Sequence, residues 1–224
     1  TQRIAEGQVA ALDPAWRAAA GGDFNGDGHS DILWRHSSGA NQLWFMDGTE
    51  RIGEGQLATR DLGWQVAGAA DYNGDGRADI LWRHTNGQVA IWNMAGGLRI
   101  GEGYPGGQDP ARIWSIQGLG DFDGDGRSDI FWRDRAGALA IWFGGEATRA
   151  AYPSYQNAGG PVDASWQVQG ITDFDADGRS DILWRSGTGQ LAIWFLDGGR
   201  FAGEAYPRTV DASWQVKGVF GDVR

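Results

Sequence analysis

The stretch Asp71-Tyr-Asn-Gly-Asp-Gly-Arg-Ala-Asp79, running straight into Ile80-Leu-Trp-Arg-His84, decides the fold. Before it stands Trp64-Gln-Val-Ala-Gly-Ala-Ala70. After it come a turn at Thr85-Asn-Gly87, the run Gln88-Val-Ala-Ile-Trp-Asn-Met94, a turn at Ala95-Gly-Gly97, and Leu98-Arg-Ile-Gly-Glu102. Each apolar run is short, rich in Val, Ile and Trp, and bounded by Gly, Asn or Asp. That grammar predicts strands and turns. No segment sustains a helical period with caps. Four short antiparallel strands therefore fit this unit.

The same unit recurs. Tryptophans fall at 16, 34, 44; 64, 82, 92; 114, 132, 142; 166, 184, 194; and 214, so all 13 belong to one pattern. The repeats span 16–63, 64–113, 114–165 and 166–213, with partial repeats at 1–15 and 214–224, in a single repeat domain over 1–224. Ile80–His84 and Val89–Met94 carry apolar residues on both alternating faces, so both faces of each small sheet are covered. Four-stranded sheets stacked at this spacing describe β-propeller blades. The expected fold is all-β: four complete four-stranded blades plus two spare terminal strands, which can form a thin fifth blade. A β-sandwich is the alternative, but it gives no reason for a strict repeat. Arg3–Gln8 matches Arg51–Gln56, and Trp214–Gly218 matches Trp166–Gly170. These ends either meet each other, giving the monomer we favour, or pair with a second chain as a homo-oligomer.

The chemistry lies in the loop after each unit's first strand. Oxygen-bearing side chains stand at loop positions one, three, five and nine. They are Asp23, Asn25, Asp27 and Asp31; Asp71, Asn73, Asp75 and Asp79; Asp121, Asp123, Asp125 and Asp129; and Asp173, Asp175, Asp177 and Asp181. The backbone carbonyl at position seven, from His29, Arg77, Arg127 or Arg179, adds another oxygen. Carboxylates crowded this closely repel one another without a cation. Ca2+ is a hard ion that accepts many oxygens in flexible geometry, which this loop supplies. Mg2+ ranks second because it demands stricter octahedral geometry. Zn2+ would want His or Cys. An EF-hand places a bidentate Glu where each of these loops has a Trp. The loops hold 14 of the 29 acidic residues, and one Ca2+ per complete repeat, about four in all, would bring the formal charge from −10 to −2.

Composition narrows the function classes. A chain of 224 residues with net charge −10 and a pI near 4.6 lacks the basic stripe of a nucleic-acid binder. It is equally unsuited to an anionic membrane, and no apolar run is long enough for insertion. No signal peptide opens the chain at Thr1, which leaves the compartment open. The absence of Cys excludes disulfides and a thiol nucleophile. There is no Gly-x-Ser-x-Gly elbow or phosphate loop, and His29, His36 and His84 form no triad spacing. We therefore expect no enzyme.

Other recurring residues read as structural. The tryptophans invite a sugar-stacking role, but their equivalence in every unit favours a core. Phe24, Tyr72, Phe122 and Phe174 are read as packing residues. Arg35, Arg83, Arg133 and Arg185 each follow the second Trp and are expected to pair with a loop carboxylate or stack on the next blade's indole. Glu6, Glu54, Glu102 and Glu204 recur in the last strand as edge charges. The third unit's Glu146–Pro161 stretch is longer than its counterparts.

The stretch Asp-Phe-Asn-Gly-Asp-Gly-His-Ser-Asp-Ile-Leu-Trp-Arg over 23–35 and the strand Gln190-Leu-Ala-Ile-Trp-Phe195 resemble the FG-GAP/VCBS repeat family. That family includes the propeller head of integrin α chains and a fungal calcium-dependent lectin. The resemblance implies a β-propeller with Ca2+ between the first and second strands of each blade. It also implies an extracellular or cell-surface setting, and binding of a glycan or cell-surface partner instead of catalysis. Typical members close seven blades, against four complete units here. A non-binding structural or targeting appendage of a larger secreted protein is the alternative, and a hydrolase the third reading.

Overall fold

A computed structural model describes residues 13–105, 114–145, 162–211 and 213–214. Among them are fifteen strands and no helix, hence no helix long and apolar enough to cross a membrane. The first repeat forms β1 (Trp16–Gly22), β2 (Asp31–His36), β3 (Asn41–Asp47) and β4 (Glu50–Leu57). The second forms β5 (Trp64–Ala70), β6 (Asp79–His84), β7 (Val89–Ala95) and β8 (Leu98–Gly103). The third forms β9 (Trp114–Gly120), β10 (Asp129–Asp134) and β11 (Leu139–Trp142). The fourth forms β12 (Trp166–Thr172), β13 (Asp181–Ser186), β14 (Leu191–Asp197) and β15 (Arg200–Ala205).

Each sheet is an antiparallel meander in chain order, and each is separate, as propeller blades are. Three sheets have four strands. The third has three described strands, and its expected fourth falls in Glu146–Pro161, outside the described residues. Both spare terminal strands also lie outside them, apart from Trp214 itself.

The chain divides into two compact units, Thr1–Pro110 and Ala111–Arg224. In the first, β1 lies against β5; in the second, β9 lies against β12. Phe24, Leu33 and Leu43 of the first sheet share a core with Ile80, Trp82 and Ala90 of the second. Phe122, Phe131 and Ile141 likewise meet Ile171, Ile182 and Trp184. The second and third tryptophans of each repeat tilt against each other. Their centroids are 5.0 Å apart for Trp34–Trp44, 4.9 Å for Trp82–Trp92, 4.6 Å for Trp132–Trp142 and 5.3 Å for Trp184–Trp194. Trp44, Trp82, Trp92, Trp132 and Trp184 are core residues, as their equivalence predicts, while Trp34, Trp142 and Trp194 are half-buried and Trp214 is exposed. Phe24, Tyr72 and Phe122 are also buried, whereas Phe174 is 37% exposed.

Two features of the sheets escape a simple period of two. The first strand of every sheet bulges, for example between Val66 and Gly68. The described fourth strands, β4, β8 and β15, bulge as well, and the extra residues Ile52 in β4 and Ile100 in β8 face solvent.

The repeated Arg holds neighbouring sheets together. Arg35 donates to the carbonyls of Arg60, Asp61 and Trp64 at 3.1, 3.0 and 2.9 Å. Arg133 donates to those of Val162, Asp163 and Trp166 at 2.6, 2.8 and 2.6 Å. Arg185 reaches Asp211 and Trp214 in the same way. Each guanidinium therefore clamps the turn that opens the next repeat. Its expected stacking is also present, with Arg35 5.0 Å from the Trp82 ring and Arg133 5.7 Å from Trp184. Among the described residues none of these three bonds a loop carboxylate, because the loops lie at the other end of β2, β10 and β13; apart from one bond of Arg35 to the Asn41 amide oxygen, their acceptors are backbone carbonyls. Beside the clamp, the N–H groups of Arg60, Val162 and Val210 donate to Gly39, Gly137 and Gly189, each at 2.9 Å.

Candidate metal centre

Each acidic loop links the first strand of a sheet to the second, and all four share one geometry. In the first, the Asp23 carboxylate accepts the N–H groups of Gly26, Asp27 and Gly28 at 2.6, 3.2 and 2.8 Å. Asp71 does the same with Gly74, Asp75 and Gly76, and Asp121 with Gly124, Asp125 and Gly126. Asp173 accepts from Ala176 and Gly178. Closing the turn requires a left-handed residue at position four. Gly26, Gly74 and Gly124 supply it at φ 81°, 79° and 78°, and Ala176 takes φ 64° in the fourth loop.

Positions three and five form the next ring. Asn25, Asn73, Asp123 and Asp175 each accept the N–H of the position-five residue, Asp27, Asp75, Asp125 or Asp177. Those four carboxylates in turn accept the N–H of His29, Arg77, Arg127 and Arg179. Among the described residues no donor meets the carbonyl oxygens of His29, Arg77, Arg127 or Arg179, which leaves these oxygens available as ligands.

Position nine does more than the sequence suggests. Asp31, Asp79, Asp129 and Asp181 are essentially fully buried. One oxygen of each accepts the N–H of position two, Phe24, Tyr72, Phe122 or Phe174. The other accepts an N–H beyond the sheet's central hairpin, from Met46, Met94, Gly144 or Leu196. This carboxylate pins the loop to the third strand's end while keeping spare lone pairs for a cation. Burial pushes the Asp79 carboxyl up to about 7 and that of Asp129 up to about 8, despite their backbone hydrogen bonds. Burial raises Asp31 and Asp181 too. Near the open end, the backbone N–H of His29 holds Asp27 below the usual carboxylate range.

Among the described residues, two sets of three carboxylates converge closely enough for one ion. Asp121, Asp123 and Asp129 form one set and Asp173, Asp175 and Asp177 the other, with ligand oxygens within 4.8 Å of one another. The first two loops carry Asn at position three, so their donor set has one charge fewer. Oxygen donors alone, with buried carboxylates that lack a counter-charge, fit a hard divalent cation.

Other residues near the loops went unread in the sequence. Asp47 lies 3.8 Å from His29 Nδ1, and Asp197 lies 3.2 Å from Arg179 Nη1. Both end the third strand of their repeat, but Ala95 and Gly145 stand at that place in the other two repeats, so the repeat does not mark them. Far from the loops, buried Arg60 pairs with Glu102 at 2.8 Å. Glu102 also accepts from Arg99 and Tyr104, so it is more than the edge charge expected of it. At the opposite end of the second unit's sheets, a cleft of about 600 Å3 is lined by Ser115, Gln117, Asp134, Arg135, Asp163 and Gln167 among others.

Comparison with known proteins places these repeats. A family model described as FG-GAP-like repeat matches residues 23–82 and again 71–132. Each match runs from one acidic loop to the second Trp of the following repeat. No curated protein matches the chain significantly. Among solved structures, the computationally designed Ika8 protein is similar at 9% identity and a TM-score of 0.42, over 81% of this chain and 48% of that one. Raptor from Chaetomium thermophilum is similar at 12% identity and a TM-score of 0.43, over 86% of this chain and 21% of that one. The chain thus spans about half the length of the first and about a fifth of the second.

Proposed function

From the premise that the chain is an FG-GAP-type repeat protein, we propose that it is a calcium-stabilised recognition module acting outside the cell or at its surface. The observation that carries this reading is the recurrence, in all four sheets, of one oxygen-only loop, with three carboxylates converging in the third and again in the fourth. FG-GAP repeats commonly bind calcium and are typically binding or structural modules rather than catalysts. Asp23, Asn25, Asp27 and Asp31, the Arg or His carbonyl at position seven, and their counterparts would hold one Ca2+ per loop. The ion would neutralise the carboxylates and lock the link between the first and second strands. It would make a rigid frame with the ends of the sheets free for contact.

The ligand is a glycan or a cell-surface protein. Support comes from the cleft in the second unit, where amides, carboxylates and guanidiniums stand together at the end away from the loops. Such a set suits hydroxyl-rich ligands, which exchange water for directional hydrogen bonds. A glycan array probed in calcium and again in chelator tests both parts. Binding to defined glycans that is lost with chelator supports the reading. Absence of any glycan or cell-surface binding in calcium overturns it in favour of a structural or targeting appendage.

A further inference from the structure

Neighbouring acidic loops share a peptide unit. The Ala78 N–H donates to the Asp23 carbonyl at 2.6 Å, and the Ser180 N–H donates to the Asp121 carbonyl at 2.6 Å. Asp23 and Asp121 hold position one of the first and third loops. Ala78 and Ser180 hold position eight of the second and fourth. The peptide that carries each N–H therefore also carries the carbonyl of Arg77 or Arg179, the position-seven oxygen of the donor set. Among the described residues no peptide bond is cis, so the N–H and C=O of one unit point in opposite directions. Each shared peptide faces one loop with its hydrogen and the other with its oxygen.

Side chains reinforce the link. Arg77 Nε donates to the Asn25 carbonyl at 3.3 Å, at position three of the first loop. Arg179 lies along Gly124 of the third loop, its Cγ 3.4 Å from where a Cβ would stand. Positions seven and eight of one loop thus rest on positions one, three and four of the loop before it. A cation drawing on the Arg77 carbonyl would polarise the 77–78 peptide and strengthen its donation to Asp23. Ordering either loop also removes freedom that the other would otherwise have to lose.

We propose that the loops bind Ca2+ in coupled pairs, first with second and third with fourth, each ion raising its neighbour's affinity through the shared peptide. The proposal rests on the calcium reading above. Coupling of this kind is reciprocal: each site must alter the other by the same factor.

The test is calorimetric Ca2+ titration of the full chain carrying Asp125→Ala and Asp177→Ala, which leaves the first pair intact. Two ions binding with positive cooperativity are expected. Adding Asp75→Ala should leave one ion, held about tenfold more weakly than the paired site. Adding Asp27→Ala instead should weaken the second loop by the same factor. Asp75→Asn and Asp27→Asn serve wherever an alanine variant fails to fold. Two ions that titrate independently, or unequal effects of the two variants, overturn the coupling while leaving the calcium reading intact. A wild-type chain that takes up no Ca2+ overturns both.

Discussion

The guanidinium carbon of Arg60 lies 3.9 Å from the centroid of the Trp64 indole. It is also 5.2 Å from Trp82 and 4.9 Å from Trp92, so three rings surround one cation. Arg60 is 8% exposed and pairs with Glu102. At the equivalent seam positions stand Val162 and Val210, whose N–H groups make the same bond to the preceding glycine. Arg60→Ala removes the stacking and leaves Glu102 without its buried partner, so thermal or urea unfolding should show a loss of about 3 kcal/mol. Arg60→Val should cost less, because valine fills that place in the second unit. Equal losses for the two would mean that the cavity does not matter there.

The same pair makes stability depend on pH. Burial alone would raise the Glu102 carboxyl, but hydrogen bonds from Arg60 and Tyr104 outweigh it and hold the carboxyl below its usual range. A depressed folded pKa contributes stability that is complete above the unfolded value and is lost as pH falls through the folded value. Glu102→Gln should therefore melt well below wild type at neutral pH, and the gap should close below about pH 4. A gap that stays constant down to that pH would show that the carboxylate charge contributes nothing.

Positions five and nine of one loop should separate ligand from staple. Asp125 accepts one N–H at the loop's open end, whereas buried Asp129 accepts those of Phe122 and Gly144. Asp125→Ala should lose one bound Ca2+ and leave the metal-free melting temperature nearly unchanged. Asp129→Ala strands two buried donors, so it should also destabilise the metal-free protein by about 2 kcal/mol. Melting each variant in chelator and titrating it with Ca2+ reads both effects. Equal metal-free stabilities would refute the staple.

Much of this was legible because the repeat reports itself. Trp16, Trp64, Trp114 and Trp166 each open a first strand, and the loops from Asp23, Asp71, Asp121 and Asp173 fall between first and second strands. Such features depend on local pattern, which sequence records directly. What escaped depends on contacts across sheets. The carbonyl partners of Arg35 and Arg133 lie 25 to 33 residues downstream, across the rest of the repeat, and backbone acceptors leave no trace in side-chain identity. Arg60 occupies a place that carries Val in other repeats, so periodicity hides it. The bulges at Ile52 and Ile100 shift the alternation by one residue, marked only by the Gly53 and Gly101 that follow them.

The glycine seam gives a final prediction, in which conformation and contact can be measured apart. Gly137 adopts φ +89°, and a Cβ there would run into the Val162 carbonyl. Gly198 adopts φ +58°, and a Cβ there would meet nothing within 4 Å. Gly198→Ala therefore isolates the cost of a left-handed backbone for an L-residue, about 1 kcal/mol. Gly137→Ala adds a collision at the place where Val162 N–H donates to the Gly137 carbonyl and where Arg133 grips the Val162 carbonyl. The turn would have to retreat, weakening both bonds, so the loss should reach about 3 kcal/mol. Chemical unfolding of the two variants under one condition reads the difference. If they lose the same stability, the close approach of the turn at Val162 contributes nothing to holding the third and fourth sheets together.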